Sequence, residues 1–391
     1  MRLQNYSRLH WKNYLAFMPF KIALVLNTSW NAYNFRKGLI RSFVADGNEV
    51  LIIAPEDDYS KDLIKWGASY RSITLESTGM NPVKDWKYRN ELKQIFKEEK
   101  LDVVLGFTIK PNIYGALAAR SLGIPMISNV SGLGTTFLWK GWVKKIAVTL
   151  YNRAFSRTDF IFFQNADDRK LFLEHVKVSA DRTGLLPGSG IDLNEYDSAP
   201  PSFNKPLTFL MISRLIVEKG VLEYMQAAKL VRQLYPDVRF ELIGKYDPEH
   251  KRSISQEQFD TIEEIGIRYY PETRNIKEVI DRADVVVLPS YREGTPRTLL
   301  EAGTMGRPLI ATDVPGCREV VDDGVNGFLC KVQSASSLAQ KINLFIALTK
   351  EEQRSMGLAS RKLVEDRFDE KIVIAEYSRK IRQLVSPAFL G

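Results

Sequence analysis

The sequence predicts two doubly wound α/β domains in tandem, which face each other across a cleft. Short apolar runs alternate with amphipathic segments along almost the whole 391-residue chain. This alternation is typical of parallel sheets with helices on both faces. One proline-rich segment interrupts it near the middle, and the length suffices for two domains of ordinary size.

Seven apolar runs in the first half have the length and composition of buried parallel strands. Amphipathic segments such as Asp85–Glu99 and Pro111–Leu122 predict helices between them, and the second has a proline in its first turn and a glycine after its end. The predicted strands are Lys21–Asn27, Glu49–Pro55, Tyr70–Leu75, Asp102–Thr108, Pro125–Val130, Phe160–Gln164 and Thr183–Pro187.

Three prolines within residues 197–206 can continue neither a helix nor a central strand. We therefore predict an N-terminal domain of residues 1–197, a linker of residues 198–206 and a C-terminal domain of residues 207–369. A final helical region, Glu351–Val385, should pack back on the first domain from about residue 370 to 391. The strands predicted after the linker are Leu207–Ile212, Val238–Ile243, Ile267–Tyr270, Asp284–Pro289, Pro308–Thr312 and Phe328–Cys330.

Charge and composition exclude several classes of protein. Two cysteines and three histidines cannot form a disulfide framework or a Cys/His metal cluster. The net charge of +8 lies entirely in the first half, because residues 1–195 carry 27 Lys+Arg and 19 Asp+Glu while the rest carries 28 of each. The first half should meet nucleic acid, an acidic membrane or a phosphorylated substrate, unless the charge serves solubility alone. A nucleic-acid binder should be basic in both halves, so nucleic acid is not expected as a partner.

The N-terminus imitates a secretory signal, but Pro19 and Lys21 interrupt its apolar stretch. No apolar run reaches the ~18 residues of a membrane span, so we expect a soluble or peripheral protein.

Two loops after strands of the second half carry residues suited to a nucleotide diphosphate. Arg214 and Lys219 flank the turn after the strand ending at Ile212, where a guanidinium fork and an ammonium can both bind phosphate. Glu293 and Glu301 lie eight residues apart around the next helix start, and a carboxylate can accept hydrogen bonds from sugar diols. Taken singly, each of these residues could equally be a solvated surface group or a helix cap.

Together these motifs resemble the donor half of family 4 retaining glycosyltransferases, which have the GT-B fold. The resemblance rests on Ser213-Arg-Leu-x3-Lys219-Gly220, Glu293-Gly-x-Pro-x4-Glu301, Pro315-Gly316 with Glu319, and Asn326-Gly-Phe328. It implies that Arg214, Lys219 and Glu293 are catalytic, that Glu301 binds the nucleotide ribose, and that no metal or other cofactor is needed. It also implies that Gly294, Thr295 and Pro296 bind the nucleotide sugar.

The first half departs from the family pattern, because it lacks the usual glycine-rich first loop and the histidine after the fifth strand. It is most similar to the subgroup that acts on polyprenyl-diphosphate-linked sugars. The residues assigned to the acceptor on this basis are Asn34, Arg36, Lys110, Asn129, Gly132 and Gly134.

A basic, aromatic segment at Trp139–Arg157 has apolar residues at helical spacing, as an interfacial helix does. It equally fits a core helix with a basic outer face. If it lies on an anionic membrane, the residues in contact should be Trp139, Lys140, Trp142, Lys144 and Lys145.

The expected function is transfer of a hexose or N-acetylhexosamine, with retention, from a UDP-linked donor to a lipid-linked glycan on the inner face of the cell membrane. The alternatives are a nucleotide-sugar epimerase or hydrolase of the same fold, and transfer to a soluble acceptor. A nicotinamide enzyme is disfavoured, because no G-x-G-x-x-G follows the first strand.

Overall fold

Two entirely parallel β-sheets organise the chain. The computed structural model describes residues 19–76, 81–133, 142–156, 158–196, 201–204 and 206–385. The first sheet contains β1 (Lys21–Val25), β2 (Glu49–Ala54), β3 (Ser69–Ser72), β4 (Val103–Phe107), β5 (Met126–Val130), β6 (Phe160–Phe163) and β7 (Thr183–Leu185). The second contains β8 (Thr208–Ile212), β9 (Arg239–Ile243), β10 (Ile267–Tyr270), β11 (Val285–Leu288), β12 (Leu309–Thr312) and β13 (Gly327–Cys330).

Both sheets reverse their winding direction once. The strand orders are β3-β2-β1-β4-β5-β6-β7 and β10-β9-β8-β11-β12-β13. The reversal falls between β1 and β4 in the first sheet and between β8 and β11 in the second. In such sheets the loops at the carboxyl ends of these paired strands form the ligand crevice.

Helices cover both faces of the first sheet. Asn81 and Asn165 cap two of them by accepting from backbone N–H groups of the first turn. These helices are α1 (Ser29–Phe35), α2 (Lys37–Ala45), α3 (Ser60–Ile64), α4 (Pro82–Glu99), α5 (Ile109–Arg120), α6 (Trp142–Phe155) and α7 (Ala166–His175).

The second sheet is covered in the same way, and two further helices end the described chain. The helices of this half are α8 (Val221–Leu234), α9 (Gln256–Glu264), α10 (Ile276–Asp281), α11 (Arg297–Thr304), α12 (Ala335–Ala347), α13 (Lys350–Phe368) and α14 (Glu370–Val385). Short 3₁₀ turns occupy Ala180–Arg182 and Val217–Lys219.

Each sheet separates two hydrophobic clusters, as the doubly wound fold requires. In the first half, α4, α5 and α6 supply one cluster, while α1, α2 and the terminal helix α14 supply the other. Val373, Tyr377 and Ile381 of α14 lie in that second cluster, so the end of the chain packs against the first sheet. The crossing is fixed at Ile191, whose N–H and C=O bond to the backbone of Phe368 and Glu370.

The predicted fold class is confirmed, and the differences from prediction are local. The helical region predicted over 351–385 consists of two helices that meet at Asp369, which has an extended ψ of 130°. The helix predicted from Pro111 begins two residues earlier, after Thr108 with a φ of 70°. Residues 197–200 and 205 of the linker region lie outside the described residues, and the domain boundaries stay a prediction.

Candidate functional site

The two predicted donor loops meet at the winding reversal of the second sheet. Arg214 and Lys219 follow β8, and Glu293 follows the neighbouring strand β11. Gly220 holds the loops close with a φ of 75°, since a Cβ there would lie 2.1 Å from the Pro289 carbonyl oxygen. The loops are also joined by a backbone bond from the Tyr291 N–H to the Glu218 carbonyl.

Lys219 and Glu293 form an ion pair inside this crevice. The Lys219 Nζ lies 2.5 Å from the Glu293 Oε1, and both side chains are largely shielded from solvent. The Arg214 side chain is exposed and has no ion pair or hydrogen bond within the part of the chain that the structure describes. The crevice therefore holds one cation engaged by a carboxylate and one free to meet a ligand.

Glu301 is buried in α11 but does not lack partners. Its Oε1 accepts from the Arg297 Nε at 3.1 Å and from the Tyr196 hydroxyl at 2.9 Å. Burial raises the pKa of Glu301, and the positive charge of Arg297 opposes that rise. Arg297 also donates to the Gly190 carbonyl at 3.2 Å, which ties α11 to the loop after β7.

Gly294, Thr295 and Pro296 lie where the two halves touch. A Cβ on Gly294 would sit 2.0 Å from the Ser131 carbonyl oxygen, so only glycine permits this approach. The Thr295 N–H donates to the Gln164 Oε1 at 3.1 Å. Pro296 precedes α11 as its N-cap residue rather than lying in its first turn.

A third loop, which follows β12, lies against the same crevice. Gly316 has a φ of 88°, and a Cβ there would lie 2.3 Å from the Gly294 carbonyl oxygen. The Gly316 N–H donates to the Glu319 Oε2 at 2.6 Å, and burial raises the pKa of Glu319. Asn326 is a structural residue: its side chain bonds the backbone of Asp322 and Val320.

Among the residues predicted for the acceptor, Arg36 is the most unusual. Its guanidinium is buried and stacks over the Phe107 ring at 4.2 Å from the centroid. Burial and repulsion by Arg297 lower the pKa of Arg36 to about 10. The Nε and Nη1 atoms are buried with no hydrogen-bond partner among the described residues.

The other acceptor candidates are engaged within the fold. Lys110 forms a buried ion pair with Asp85 at 2.8 Å, which joins the first turns of α4 and α5. Asn129 donates to the Tyr377 hydroxyl at 2.9 Å, and Asn34 donates to the Trp30 carbonyl. Gly132 has a φ of 137° and contacts Gly294, whereas Gly134 lies outside the described residues.

Ion pairs between the two halves were not predicted from the sequence. Arg292 binds Asp168, whose side chain is buried and also accepts from the Leu133 N–H at 3.3 Å. Asn165 caps α7 and donates to the Gly294 carbonyl at 3.2 Å. An asparagine followed by an aspartate three residues later is a sequence signal for the start of a helix. It does not indicate which residue of the other half the aspartate binds.

The predicted membrane segment is only partly described. Trp139 and Lys140 lie outside the described residues, as do the side chains of Trp142 and Lys144, while Lys145 is exposed on α6. Within the described ranges, no helix is long and apolar enough to cross a membrane. In the same ranges, no three His, Cys, Asp or Glu side chains gather where they could hold a metal.

Two protein families match the chain in succession. The family "Glycosyl transferase 4-like domain" matches residues 35–188, and "Glycosyl transferases group 1" matches residues 194–363.

Similar proteins cover most of the chain. An N,N'-diacetylbacillosaminyl-diphospho-undecaprenol alpha-1,3-N-acetylgalactosaminyltransferase from Campylobacter jejuni is 25% identical, over 91% of this chain and 97% of its own. An Escherichia coli UDP-Gal:alpha-D-GlcNAc-diphosphoundecaprenol alpha-1,3-galactosyltransferase is 27% identical, over 68% and 71%.

Solved structures share the fold. Anabaena HepE in complex with UDP and glucose aligns with a TM-score of 0.78 at 19% identity, covering 93% of this chain and 100% of its own. Sucrose-phosphate synthase from Thermosynechococcus elongatus aligns with a TM-score of 0.76 at 17% identity, over 94% and 100%.

Proposed function

The chain belongs to the group 1 glycosyltransferases with the GT-B fold, and from that premise we propose the reaction it catalyses. It transfers a hexose or N-acetylhexosamine from a UDP-linked donor to a sugar carried on polyprenyl diphosphate. The names of the Campylobacter and E. coli relatives support this acceptor class. The observation that carries the proposal is the Lys219–Glu293 ion pair at the β8–β11 reversal, with Arg214 on the same loop after β8.

The donor diphosphate binds Arg214 and Lys219 in this proposal. The exposed Arg214 guanidinium offers a bidentate fork, and the diphosphate competes with Glu293 for the Lys219 ammonium. Once Lys219 turns to the diphosphate, the Glu293 carboxylate is free to accept hydrogen bonds from the donor sugar. Glu301, held by Arg297 and Tyr196, lies beside the crevice for the ribose hydroxyls.

Transfer proceeds with retention and without a metal ion. The bond from the anomeric carbon to the diphosphate breaks, while the acceptor hydroxyl oxygen bonds that carbon on the same face. The acceptor proton passes to the departing diphosphate oxygen, so no protein nucleophile is required. Arg214 and Lys219 stabilise the negative charge that grows on the leaving group, where electrostatic stabilisation acts most strongly.

The first half meets the membrane that carries the acceptor. Helices α4, α5 and α6 pack side by side on one face of the first sheet, and their first turns lie at its carboxyl end. Val83, Trp86 and Ile109 in these first turns are 64%, 61% and 44% exposed. An exposed ring with aliphatic groups, together with the exposed Lys145 of the neighbouring helix α6, suits the headgroup region of an anionic bilayer.

One experiment separates this function from its alternatives. The purified protein is incubated with UDP-sugars and a polyprenyl-diphosphate-linked sugar, and the products are identified by mass and by the anomeric coupling in NMR. The proposal predicts an acceptor enlarged by one sugar with the donor's configuration. An epimerase would yield an isomeric nucleotide sugar, a hydrolase would yield free sugar, and a soluble-acceptor enzyme would leave the lipid-linked sugar unchanged.

A further inference from the structure

Among the residues that the structure describes, Arg36 and Arg307 are buried arginines, and their guanidinium groups differ in their hydrogen-bond partners. Arg307 is 1% exposed and donates to the carbonyl groups of Ile280, Ala283, Asp281 and Met305. Arg36 is 4% exposed, and its guanidinium makes no hydrogen bond or ion pair with any residue that the structure describes. Burying a charge without a partner is strongly unfavourable, so an unpaired buried cation indicates that a partner is supplied from outside.

Arg36 lies at the place in the first sheet where a ligand is expected. It follows β1 by way of α1, and the ring beneath its guanidinium belongs to Phe107, the last residue of β4. Since β1 and β4 flank the winding reversal of this sheet, their carboxyl ends open the ligand crevice of the first half.

A second unused donor lies beside Arg36. The Tyr377 ring packs against Phe107 with centroids 6.2 Å apart, and its hydroxyl oxygen accepts from Asn129. Burial raises the pKa of Tyr377 to about 12, so the hydroxyl keeps its proton at neutral pH. That proton has no acceptor among the described residues.

The charges around Arg36 come from both halves of the chain. Burial lowers the pKa of Arg36, Tyr377 of α14 raises it, and Arg297 of α11 lowers it further by repulsion, although Arg297 is itself paired with Glu301. The same cluster contains Glu370 at the start of α14, a carboxyl whose pKa is raised by burial and which interacts with Arg297. No carboxylate in the described ranges is within ion-pair distance of Arg36.

We propose that Arg36 and Tyr377 form an anion site that binds a phosphate of a substrate diphosphate. The site rests on the proposed function, which supplies two such groups: the diphosphate of the nucleotide donor and the diphosphate that links the acceptor sugar to its polyprenyl chain. A guanidinium beside a phenolic hydroxyl offers several N–H donors and one O–H donor to phosphate oxygens.

Binding of inorganic pyrophosphate tests the site without requiring transfer. Calorimetry would compare the double variant Arg214→Ala, Lys219→Ala, in which the donor-loop cations are absent, with the same protein carrying Arg36→Met. Arg41→Met, an exposed arginine of α2, is the matched control. We expect Arg36→Met to weaken pyrophosphate binding about 10- to 100-fold, because a charged hydrogen-bond donor is lost, and Arg41→Met to leave it unchanged.

Stability distinguishes this site from a structural role. An unpaired buried cation destabilises the free protein, so Arg36→Met should unfold at the same or a higher temperature without ligand. A lower unfolding temperature together with unchanged pyrophosphate affinity would overturn the proposal. If Arg36→Met does not fold, Tyr377→Phe replaces it in the binding measurement. Weaker pyrophosphate binding by Tyr377→Phe would support the site, and unchanged binding would overturn it.

Two further arms identify the source of the phosphate. Weaker binding of UDP to Arg36→Met in the otherwise unchanged protein assigns the site to the donor. A raised KM for a short-chain prenyl-diphosphate sugar with unchanged UDP affinity assigns it to the acceptor. If the unaltered protein binds pyrophosphate through Arg36 but transfers no sugar, the proposed function is contradicted and the anion site is still supported.

Discussion

The two crevices of this molecule differ in how their charges are balanced. On the donor side, the Lys219 ammonium is met by Glu293, and Glu301 is met by Arg297 and Tyr196. On the acceptor side, Arg36 is buried with no counter-ion among the described residues. The net charges of the two halves differ in the same direction, because all of the +8 lies in residues 1–195 and the rest of the chain is neutral. The cation Lys219 of the second half already has a carboxylate partner, whereas Arg36 of the first half would gain its negative partner only from a bound ligand.

The largest expected effect concerns the buried ion pair between the two halves, Arg292 with Asp168. Asp168→Ala removes a buried carboxylate and leaves Arg292 without its partner, which should lower the free energy of unfolding by about 3–5 kcal/mol. The adjacent Asp167→Ala is the matched control, because its 3.5 Å contact with Arg318 is exposed and worth at most about 1 kcal/mol. Urea denaturation measures the free energy of unfolding of both variants. Equal decreases in the two variants would contradict the assignment of a larger contribution to the buried pair.

Removing the donor-side cations should affect catalysis more than folding. Arg214→Ala and Lys219→Ala should each cost about 2–4 kcal/mol of transition-state stabilisation, a decrease of roughly 30- to 1000-fold in turnover. Lys229→Ala, an exposed lysine of α8, serves as the control and should turn over normally. Near-normal turnover in both crevice variants would remove Arg214 and Lys219 from the mechanism.

The basic surface of the first half should matter for membrane binding only. Reversing Lys140, Lys144 and Lys145 to glutamate should abolish most binding to anionic vesicles, because each basic residue near the surface contributes about 1 kcal/mol. Binding of the unaltered protein should weaken with salt and be lower for neutral vesicles. Transfer to a soluble, short-chain acceptor should persist, and unfolding of the variant would instead identify the segment as a core helix.

The smallest expected effect is that of metal removal. If Arg214 and Lys219 neutralise the leaving group as proposed, activity should be unchanged by EDTA. Abolition by EDTA with rescue by Mn²⁺ or Mg²⁺ would show that the donor side lacks the charge balance proposed for it.

The sequence predicted the sheets far better than the contacts between them. Most strands follow from an apolar run with local turn signals, and the strand at Ile267–Tyr270 was predicted to the residue. The exception is the polar edge strand Ser69–Ser72, which begins one residue before the predicted run. The meeting of Lys219 with Glu293 was also foreseeable, because both follow strands that end at one edge. The Arg292–Asp168 and Glu301–Tyr196 contacts join residues over a hundred positions apart. The local sequence around each residue does not indicate such a distant partner.

Buried charge was the other limit on prediction. Arg36 lies between two short helices, and nothing in the spacing of the residues around it indicates that the guanidinium is enclosed without a carboxylate. That condition arises only when α14 returns from the end of the chain and places Tyr377 over β4. Arg36 and Tyr377 are brought together only by the fold, so no local sequence motif could have predicted a site formed by both.

The most direct test of the central claim is the mass of the lipid-linked product. The purified protein is mixed with a panel of UDP-sugars and a polyprenyl-diphosphate-linked sugar, and the acceptor is weighed by mass spectrometry before and after reaction. The structure predicts that one UDP-sugar gives an acceptor heavier by a single hexose or N-acetylhexosamine residue, with release of UDP. An unchanged acceptor beside consumed or isomerised donor would contradict a transferase to lipid-linked glycans.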